Sequence, residues 1–425
     1  MADPQSVPTA GLRRALGKWD LTALGVNQVI GGAVFLMPAI LAAEIGAWSW
    51  MAVGLVGVLA MLIALNFAEA GSRFEGTGGP YLYTREAFGR FSSFEVGWMM
   101  WVTRVTSWAS ILNGLADALA YYWPGLREGL PRVTLIALLV AAITAVNVRG
   151  IRQSALVVNA LTIGKLLPLA LFIGIGLPHV TASALRPDAA LGWQQIATAA
   201  LYLIFAYGGY EVVSLPGGEA RDPRRGVPFA MIATIIIVSV VMTLVQVVSL
   251  GTLPGLELSR TPLADASLLF LGLSGPMLMT AGAAVSMTGN NVGSAIAGSR
   301  VLFALAEQGD LPPVFERVHP RFRTPSFAIV LTSVISLGLA LSGSFALMAA
   351  SSGVARLLVY AGTCASVLAL RRKSRAPFTI PGGAVVPGLA LAISIAILYG
   401  VSGVQWRVGL GAMGAGAILY VMARK

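Results

Sequence analysis

The sequence contains few of the residues that build disulfides, metal sites or catalytic clusters. Among 425 residues there are one cysteine, Cys364, and two histidines, His179 and His319. A single cysteine excludes an intrachain disulfide and a thiolate cluster, and two histidines in separate predicted connections provide no clustered imidazoles for zinc or haem. We therefore expect no metal and no cofactor.

Charged residues are also scarce. They make up 11% of the chain, whereas hydrophobic residues make up 56%; an average soluble domain is about 25% charged. The expected solvent is therefore the lipid bilayer. A net charge of +11 is a common property of nucleic-acid-binding proteins, but here Lys and Arg form short clusters between apolar segments, so we expect no nucleic-acid partner.

Twelve apolar stretches, bounded by charges or by Pro and Gly, have the length and composition of membrane-spanning helices, which need roughly 20 residues. A polar, basic tail at residues 1–19 precedes them and lacks the apolar core and cleavage site of a secretory signal. The predicted helices are Asp20 to Gly46, Ser49 to Ala70, Ser93 to Tyr121, Val133 to Val148, Ser154 to Leu177, Trp193 to Leu215, Val227 to Gly251, Ser274 to Arg300, Ser326 to Leu341, Phe345 to Leu370, Ala384 to Val401 and Arg407 to Met422.

The distribution of positive charge predicts the orientation of these helices. Short cytoplasmic loops carry an excess of Lys and Arg. When both termini are placed inside, 21 of the 29 Lys and Arg residues lie on the inner side and 5 on the outer side, and Arg104, Lys165 and Arg356 lie within helices. The pattern predicts a multi-pass protein of the cell inner membrane with cytoplasmic N- and C-termini.

Two predicted helices are interrupted by glycine near their middles. The first contains Gly31-Gly32-Ala33, and the sixth contains Gly208-Gly209. Paired breaks in equivalent helices are typical of the midplane binding site of an inverted-repeat transporter, because the half-helix ends present free N–H and C=O groups to a substrate. The alternative is that small residues only allow close helix packing.

Four segments carry a family resemblance. They are Gly31 to Pro38 in the first helix, Gly78 to Tyr83 with Phe88-Gly89, Gly218 to Pro228, and Ser299-Arg300 through Gly309 to Pro312, His319-Pro320 and Thr324-Pro325. These segments resemble the amino acid, polyamine and organocation transporters, which have the leucine-transporter-type fold. One difference from that family is Gly76, where a proline is usual, and another is Asp222, where the family has asparagine.

The resemblance implies an all-α membrane protein of about 12 transmembrane helices. Residues 20–192 would form the first repeat and 193–375 the inverted second repeat, a 5+5 arrangement in which helices 1 and 6 are broken. Residues 376–425 would add two helices and a short cytoplasmic tail. In the loop after helix 6, we expect Glu219, Asp222 and the neighbouring arginines to be solvated.

The same resemblance implies where a substrate binds. Backbone groups of the first break would hold a carboxylate, and those of the second an amino group. Phe205 aligns with the aromatic gate that closes over the substrate; the alternative is an ordinary core or lipid-facing phenylalanine. The implied substrate-binding residues are Ile30, Gly31, Gly32 and Ala33 at the first break and Phe205, Ala206, Tyr207, Gly208 and Gly209 at the second.

Arg104 lies close to mid-membrane, about 16 Å into the third helix at 1.5 Å per residue. By resemblance, this region borders the substrate cavity, so Thr103, Arg104 and Ser107 are candidate binding residues. A fixed cation there favours an acidic substrate. The alternative is an internal ion pair, with Glu211, Glu69 or Asp117 as partner, and Arg356 has the same two interpretations.

Lys165 and Glu211 are the candidates for proton coupling. Lys165 lies too deep for its ammonium to reach water easily, so it must find oxygen partners or release its proton. By resemblance, Lys165 would reach between helices 1 and 8 and hold the helix 1 carbonyls and helix 8 hydroxyls. The alternatives are a fixed charge at Lys165 and a structural hydrogen bond at Glu211.

The predicted function is secondary active transport of amino acids or related small metabolites, with proton coupling. Exchange of substrates is an alternative to proton-coupled transport. Sodium symport is a further alternative, because the run Ser286 to Ser294 contains hydroxyls that could bind sodium or only form hydrogen bonds between helices. A membrane-embedded enzyme lacks a Ser–Lys, clustered His or paired Asp motif, and a channel lacks a repeated filter sequence. The expected partners are a small-molecule substrate, protons and the bilayer, with a homodimer as an open alternative.

Overall fold

The computed structural model describes residues 12–120, 123–187, 190–342, 345–399 and 403–423. Within these ranges the fold is all-helical, and the β-structure consists of one bridge between Leu16 and Ala220. Four stretches are long and apolar enough to cross a bilayer, namely Ala33–Gly71, Gly129–Arg149, Ile151–His179 and Pro223–Thr252. The prediction of an all-helical fold is confirmed for the described residues, and the four apolar stretches are consistent with a membrane protein.

Every predicted apolar segment contains a helix, and two further helices, α4 and α10, lie in connections that the sequence pattern did not assign. The helices are α1 (Lys18–Val29), α2 (Ala33–Ile45), α3 (Ser49–Gly71), α4 (Pro80–Phe88), α5 (Arg90–Ala120), α6 (Gly129–Arg149), α7 (Ile151–Gly176), α8 (Trp193–Tyr207), α9 (Pro223–Thr252), α10 (Pro262–Leu271), α11 (Ser274–Glu307), α12 (Ser326–Leu341), α13 (Phe345–Arg371), α14 (Val385–Tyr399) and α15 (Gly403–Ala423).

Helix α1 occupies the centre of the bundle. It packs against α7, α9 and α11, while α3 packs against α9 and α5 packs against α11 and α13. Eight of its residues are buried, including the polar side chains of Thr22, Asn27 and Gln28. A polar side chain inside an apolar bundle is stable only with hydrogen-bond partners. The polar face of α1 therefore has to meet polar groups of its neighbours.

Ion pairs hold the end of the bundle where α1 begins. Both oxygens of Glu219 accept from the Arg300 guanidinium at 2.9 Å, and both side chains are completely buried. Asp222 is exposed, as expected, but the prediction of a solvated Glu219 was wrong. The reason is that Arg300 of α11, a helix distant in the sequence, forms a buried ion pair with Glu219; a sequence pattern does not show which helix lies next to the loop after α8.

A second buried carboxylate, Asp310, joins the loop after α11 to α4 and α5. Its oxygens accept from the Tyr81 hydroxyl at 2.7 Å, from Arg85 at 2.5 Å and from Arg90 at 2.7 Å. Burial, followed by the hydrogen bond to Asp310, raises the pKa of the Tyr81 phenol above its ordinary value. The phenol therefore remains a hydrogen-bond donor at any working pH.

Replacing Arg300 by Met should lower the melting temperature of the detergent-solubilised protein strongly. The change leaves the Glu219 carboxylate buried without a cation, and breaking a buried pair in this way costs about 3–5 kcal/mol. The matched control is Lys373→Met, which breaks an exposed pair with Glu86 worth about 0–1 kcal/mol. Equal melting temperatures for the two variants, measured by fluorescence-detected size exclusion after heating, would contradict the assigned role.

Candidate functional site

The first predicted break is present where the sequence places it. Helix α1 ends at Val29 and α2 begins at Ala33, and residues 30–32 between them belong to neither helix. Ile30 departs from helical geometry with φ −75° and ψ 82°. A helix that ends in this way leaves its last carbonyl oxygens without partners from the following turn. Side chains of α7 and α11 approach these oxygens.

Lys165 of α7 lies on the break. Its ammonium donates to the carbonyl oxygens of Ile30 at 2.7 Å, Asn27 at 3.1 Å and Ser286 at 3.1 Å, and the side chain is completely buried. Lys165 therefore joins α7, the first break and α11. The sequence-based expectation of helix 1 carbonyls agrees with these contacts, but the partner on α11 is a carbonyl, not a hydroxyl.

The polar run of α11 binds the same segment of α1. Ser286 Oγ donates to the carbonyls of Ile30 at 2.9 Å and Gly31 at 3.0 Å. Asn290 Nδ2 donates to the carbonyl of Gln28 at 2.8 Å, and Gln28 Nε2 donates to that of Asn290 at 2.7 Å. Reciprocal amide bonds of this kind satisfy buried polar groups on both helices. The run therefore holds the broken end of α1 in place.

The second predicted break is also present. Helix α8 ends at Tyr207, and after Gly208-Gly209 the chain continues as a 3₁₀ helix over Tyr210–Ser214. Gly209 has φ +129°, a conformation that favours glycine. A Cβ at Gly209 would lie 2.7 Å from the Gln28 carbonyl oxygen and 3.2 Å from the Val29 nitrogen. The backbone of the second break is thus in direct contact with the first.

Glu211 follows the second break, and both of its carboxylate oxygens accept hydrogen bonds. Oε1 accepts from Arg104 Nη2 at 2.7 Å and lies 3.5 Å from Arg356 Nε. Oε2 accepts from the Gly209 N–H and from the Tyr360 hydroxyl, both at 2.9 Å. Of the alternatives for Arg104, the structure shows an ion pair with Glu211. Glu69 pairs with Arg371 instead, and the side chain of Asp117 lies outside the described residues.

Arg104 also connects the second break to the first. Its Nη1 donates to Gln28 Oε1 at 3.3 Å, and Ser294 Oγ donates to the same oxygen at 3.2 Å. Gln28 thus receives bonds from α5 and α11 while its own amide bonds α11. These contacts bring the candidate residues of α1, α5 and the second break together at one place.

The remaining predicted site residues have different surroundings. Gly32 and Ala33 are half-buried and Gly31 is buried. Thr103 bonds the Met99 carbonyl of its own helix at 2.8 Å, and Ser107 is half-buried. Ala206 is buried, and the Tyr207 hydroxyl donates to Val53 on α3 at 3.0 Å. Phe205 belongs to α8, but its side chain lies outside the described part of the chain.

Sequence reasoning missed the side chains of Asn27, Gln28 and Tyr360 at this site and named Asn290 only as part of the run Ser286 to Ser294, although a signal for all four was present. Polar side chains within membrane helices are costly unless paired, and the amides of Asn27 and Gln28 directly precede the first break. Asn290 and Tyr360 are equally polar and buried. Their partners could not be named, because those partners lie on helices distant in the sequence.

The chain is similar to known transport proteins over most of its length. The amino acid permease family model matches residues 16–409. Among similar proteins, the methylthioribose transporter of Bacillus subtilis is 26% identical, covering 97% of this chain and 93% of its own. The serine/threonine exchanger SteT of the same organism is 28% identical over 91% of each chain. Its branched-chain amino acid permease BcaP is 26% identical over 89% and 86% of the two chains.

These relatives are named as transporters, permeases or exchangers and not as enzymes. The family match covers nearly the whole chain and includes both helix breaks, Lys165 and Glu211. The chain therefore belongs to the amino acid permease family, within the amino acid, polyamine and organocation superfamily, and is a membrane transporter.

Proposed function

We propose that the chain is a secondary active transporter that carries amino acids or related small metabolites across the cytoplasmic membrane by alternating access, coupled to protons. The observation that carries the proposal is the contact between two broken helices at Gln28 and Gly209, with the Lys165 ammonium on the carbonyls of the first break. A cation in this place can control how firmly the broken helix is held.

The proposed architecture has twelve membrane crossings. Residues 20–192 form one repeat and residues 193–375 an inverted second repeat, and residues 376–425 add two helices. Support comes from the position of the breaks, which fall in the first helix of each half, as in inverted-repeat transporters. The distribution of Lys and Arg supports cytoplasmic termini, with residues 1–19 as a cytoplasmic tail.

The substrate would bind between the half-helices. Because α2 begins at Ala33, its first N–H groups have no acceptors within the helix, and its positive dipole end suits a carboxylate. The carbonyl end of α8 near Phe205 to Tyr207 suits a donor such as an amino group. The Phe205 ring would close over the substrate, which is its proposed role as a gate.

Lys165 is the proposed coupling group. In its protonated form it holds Asn27 and Ile30 of the break and Ser286 of α11. After proton loss the neutral amine has two hydrogens for three carbonyl oxygens and no longer carries a charge. Its hydrogen bonds to Asn27 and Ile30 therefore weaken, and α1 can move. Proton coupling through Glu211 stays a prediction. The two oxygens of Glu211 already accept hydrogen bonds from three partners, which favours a structural role in which Glu211 stabilises the backbone of the second break.

The alternatives differ in their support. Exchange is favoured by the similarity to a protein named as a serine/threonine exchanger, and alternating access serves exchange as well as symport. Sodium symport has less support, because Ser286 Oγ already donates to the carbonyls of Ile30 and Gly31 beside the Lys165 ammonium. A homodimer stays a prediction.

Replacing Lys165 by Ala should abolish accumulation driven by a pH gradient, because the variant has no titratable group that binds the carbonyls of the first break. Uptake of a panel of labelled amino acids into proteoliposomes, with imposed pH or sodium gradients, measures this. Exchange of substrate already present on both sides should survive in part. The matched control is Lys373→Ala at an exposed lysine. Accumulation that needs sodium and ignores pH in the wild type would refute proton coupling.

Replacing Gly209 by Ala should impair transport and lower stability. The new Cβ would press on the Gln28 carbonyl, and strain in a left-handed conformation costs about 1–3 kcal/mol. Gly174→Ala is the control, since a Cβ there meets nothing within 4 Å. Uptake and melting temperature are measured for both variants. If Gly209→Ala behaves like Gly174→Ala, the close contact of the two breaks is not needed for transport.

A further inference from the structure

Positive charge exceeds negative charge at the second break. Arg104 and Arg356 both face the Glu211 carboxylate, which is the one acid that forms an ion pair with either guanidinium among the residues whose side chains are described. Lys165, on the adjoining first break, bonds three carbonyl oxygens. Arg104 and Arg356 therefore share one carboxylate in a region where an unpaired charge is costly.

The positive charge that Glu211 does not balance is that of Arg356. Arg104 binds Glu211 at 2.7 Å and Gln28 at 3.3 Å, so Arg104 already neutralises the carboxylate. Arg356 Nε lies 3.5 Å from Glu211 Oε1, and this nitrogen is buried without a hydrogen-bond partner among the described residues. The Arg356 side chain is only 10% exposed. Arg356 Nε is therefore a buried donor for which the described residues provide no acceptor within hydrogen-bond distance.

The Arg356 guanidinium lies directly on the second break. A Cβ added at Gly208 would overlap Nη1 of Arg356, so the absence of a side chain at Gly208 is what gives the guanidinium its place. Gly208 is one of the residues whose backbone is proposed to contact the substrate. An arginine in this position presents a planar fork of N–H groups that matches a carboxylate.

We propose that the transported substrate is anionic, and that Arg356 binds an acidic group of the substrate in addition to the carboxylate at the first break. The inference rests on the proposed function and specifies its substrate class as amino acids or related metabolites with a second carboxylate. Such a substrate supplies the negative charge that the site lacks. A cationic substrate would meet Arg356 at close range, and like charges repel at such distances.

A purely structural role for Arg356 makes a different prediction. If Arg356 only neutralises Glu211, its removal leaves a charge imbalance and destabilises the fold. If Arg356 is the surplus cation, Arg356→Gln leaves the Arg104–Glu211 pair neutral, and the fold loses little. Stability and ligand preference, measured on the same variant, therefore distinguish the two roles.

The test measures binding to the purified full-length protein in lipid nanodiscs by isothermal titration calorimetry. The probes are L-glutamate and L-aspartate, their neutral isosteres L-glutamine and L-asparagine, L-arginine, and glutarate, which lacks the amino group. We expect the wild type to bind an acidic probe about 10- to 100-fold more tightly than its amide, as a charge-assisted hydrogen bond provides. Arg356→Gln should reduce that preference to about twofold or less, and Arg356→Lys should give an intermediate value.

Melting temperature provides the second readout. Arg356→Gln should melt within a few degrees of the wild type, like the control Arg152→Gln at an exposed arginine. Equal binding of acids and amides by the wild type, an unchanged preference in Arg356→Gln, or loss of folding in Arg356→Gln would each overturn the inference. If amides bind and acids do not, the transport proposal stands without this inference; if no probe binds, this inference fails and the transport proposal depends on the uptake measurement alone. If glutarate alone binds, the substrate is an anion without an amino group and the amino acid assignment is wrong.

Discussion

A helix that stops inside an apolar bundle leaves carbonyl oxygens that need donors, and in this protein the Lys165 ammonium supplies them. Where no water is available, an unsatisfied backbone group costs several kcal/mol. Lys165 satisfies Asn27 and Ile30 together, while Ser286 adds a second donor to Ile30. The break between α1 and α2 is stable because α7 and α11 bring these donors to it.

The second break depends on the first. Gly209 packs on the Gln28 backbone, and the Gln28 side chain accepts from Arg104, which in turn pairs with Glu211. A movement of α1 therefore changes contacts on α5, on α11 and on the loop after α8 at the same time. Packed interfaces of this kind change between discrete arrangements more readily than they deform gradually. Alternating access requires such a change.

The N-terminal end of α1 is held by contacts that are separate from those at the first break. Backbone N–H groups of Ala15 and Leu16 donate to the Glu219 carbonyl at 2.9 and 3.0 Å, and the Arg221 N–H donates to the Leu16 carbonyl at 2.9 Å. The Glu219 side chain is fixed by Arg300. The chain that leads into α1 is thus tied to the loop after α8. Movement of α1 at this end requires these bonds to break, whereas the contacts of the first break depend on the Lys165 ammonium.

The sequence predicted the helices and both breaks, because apolar runs and glycine pairs are local signals. It also predicted that Lys165 reaches the first break, through a family resemblance. It did not reveal that Gln28 connects α1, α5 and α11, that Glu219 is buried on Arg300, or that α4 and α10 are helices. Each of these depends on partners far along the chain or on short polar segments with weak periodicity.

Proton coupling through Lys165, as proposed, requires that a proton enters with the substrate. The internal pH of sodium-free proteoliposomes, recorded with a trapped dye while substrate is added outside, measures this proton entry. We expect substrate-dependent acidification of the interior with the wild-type protein and none with Lys165→Ala. Substrate uptake without proton entry in the wild type, at any pH between 5 and 8, would contradict it.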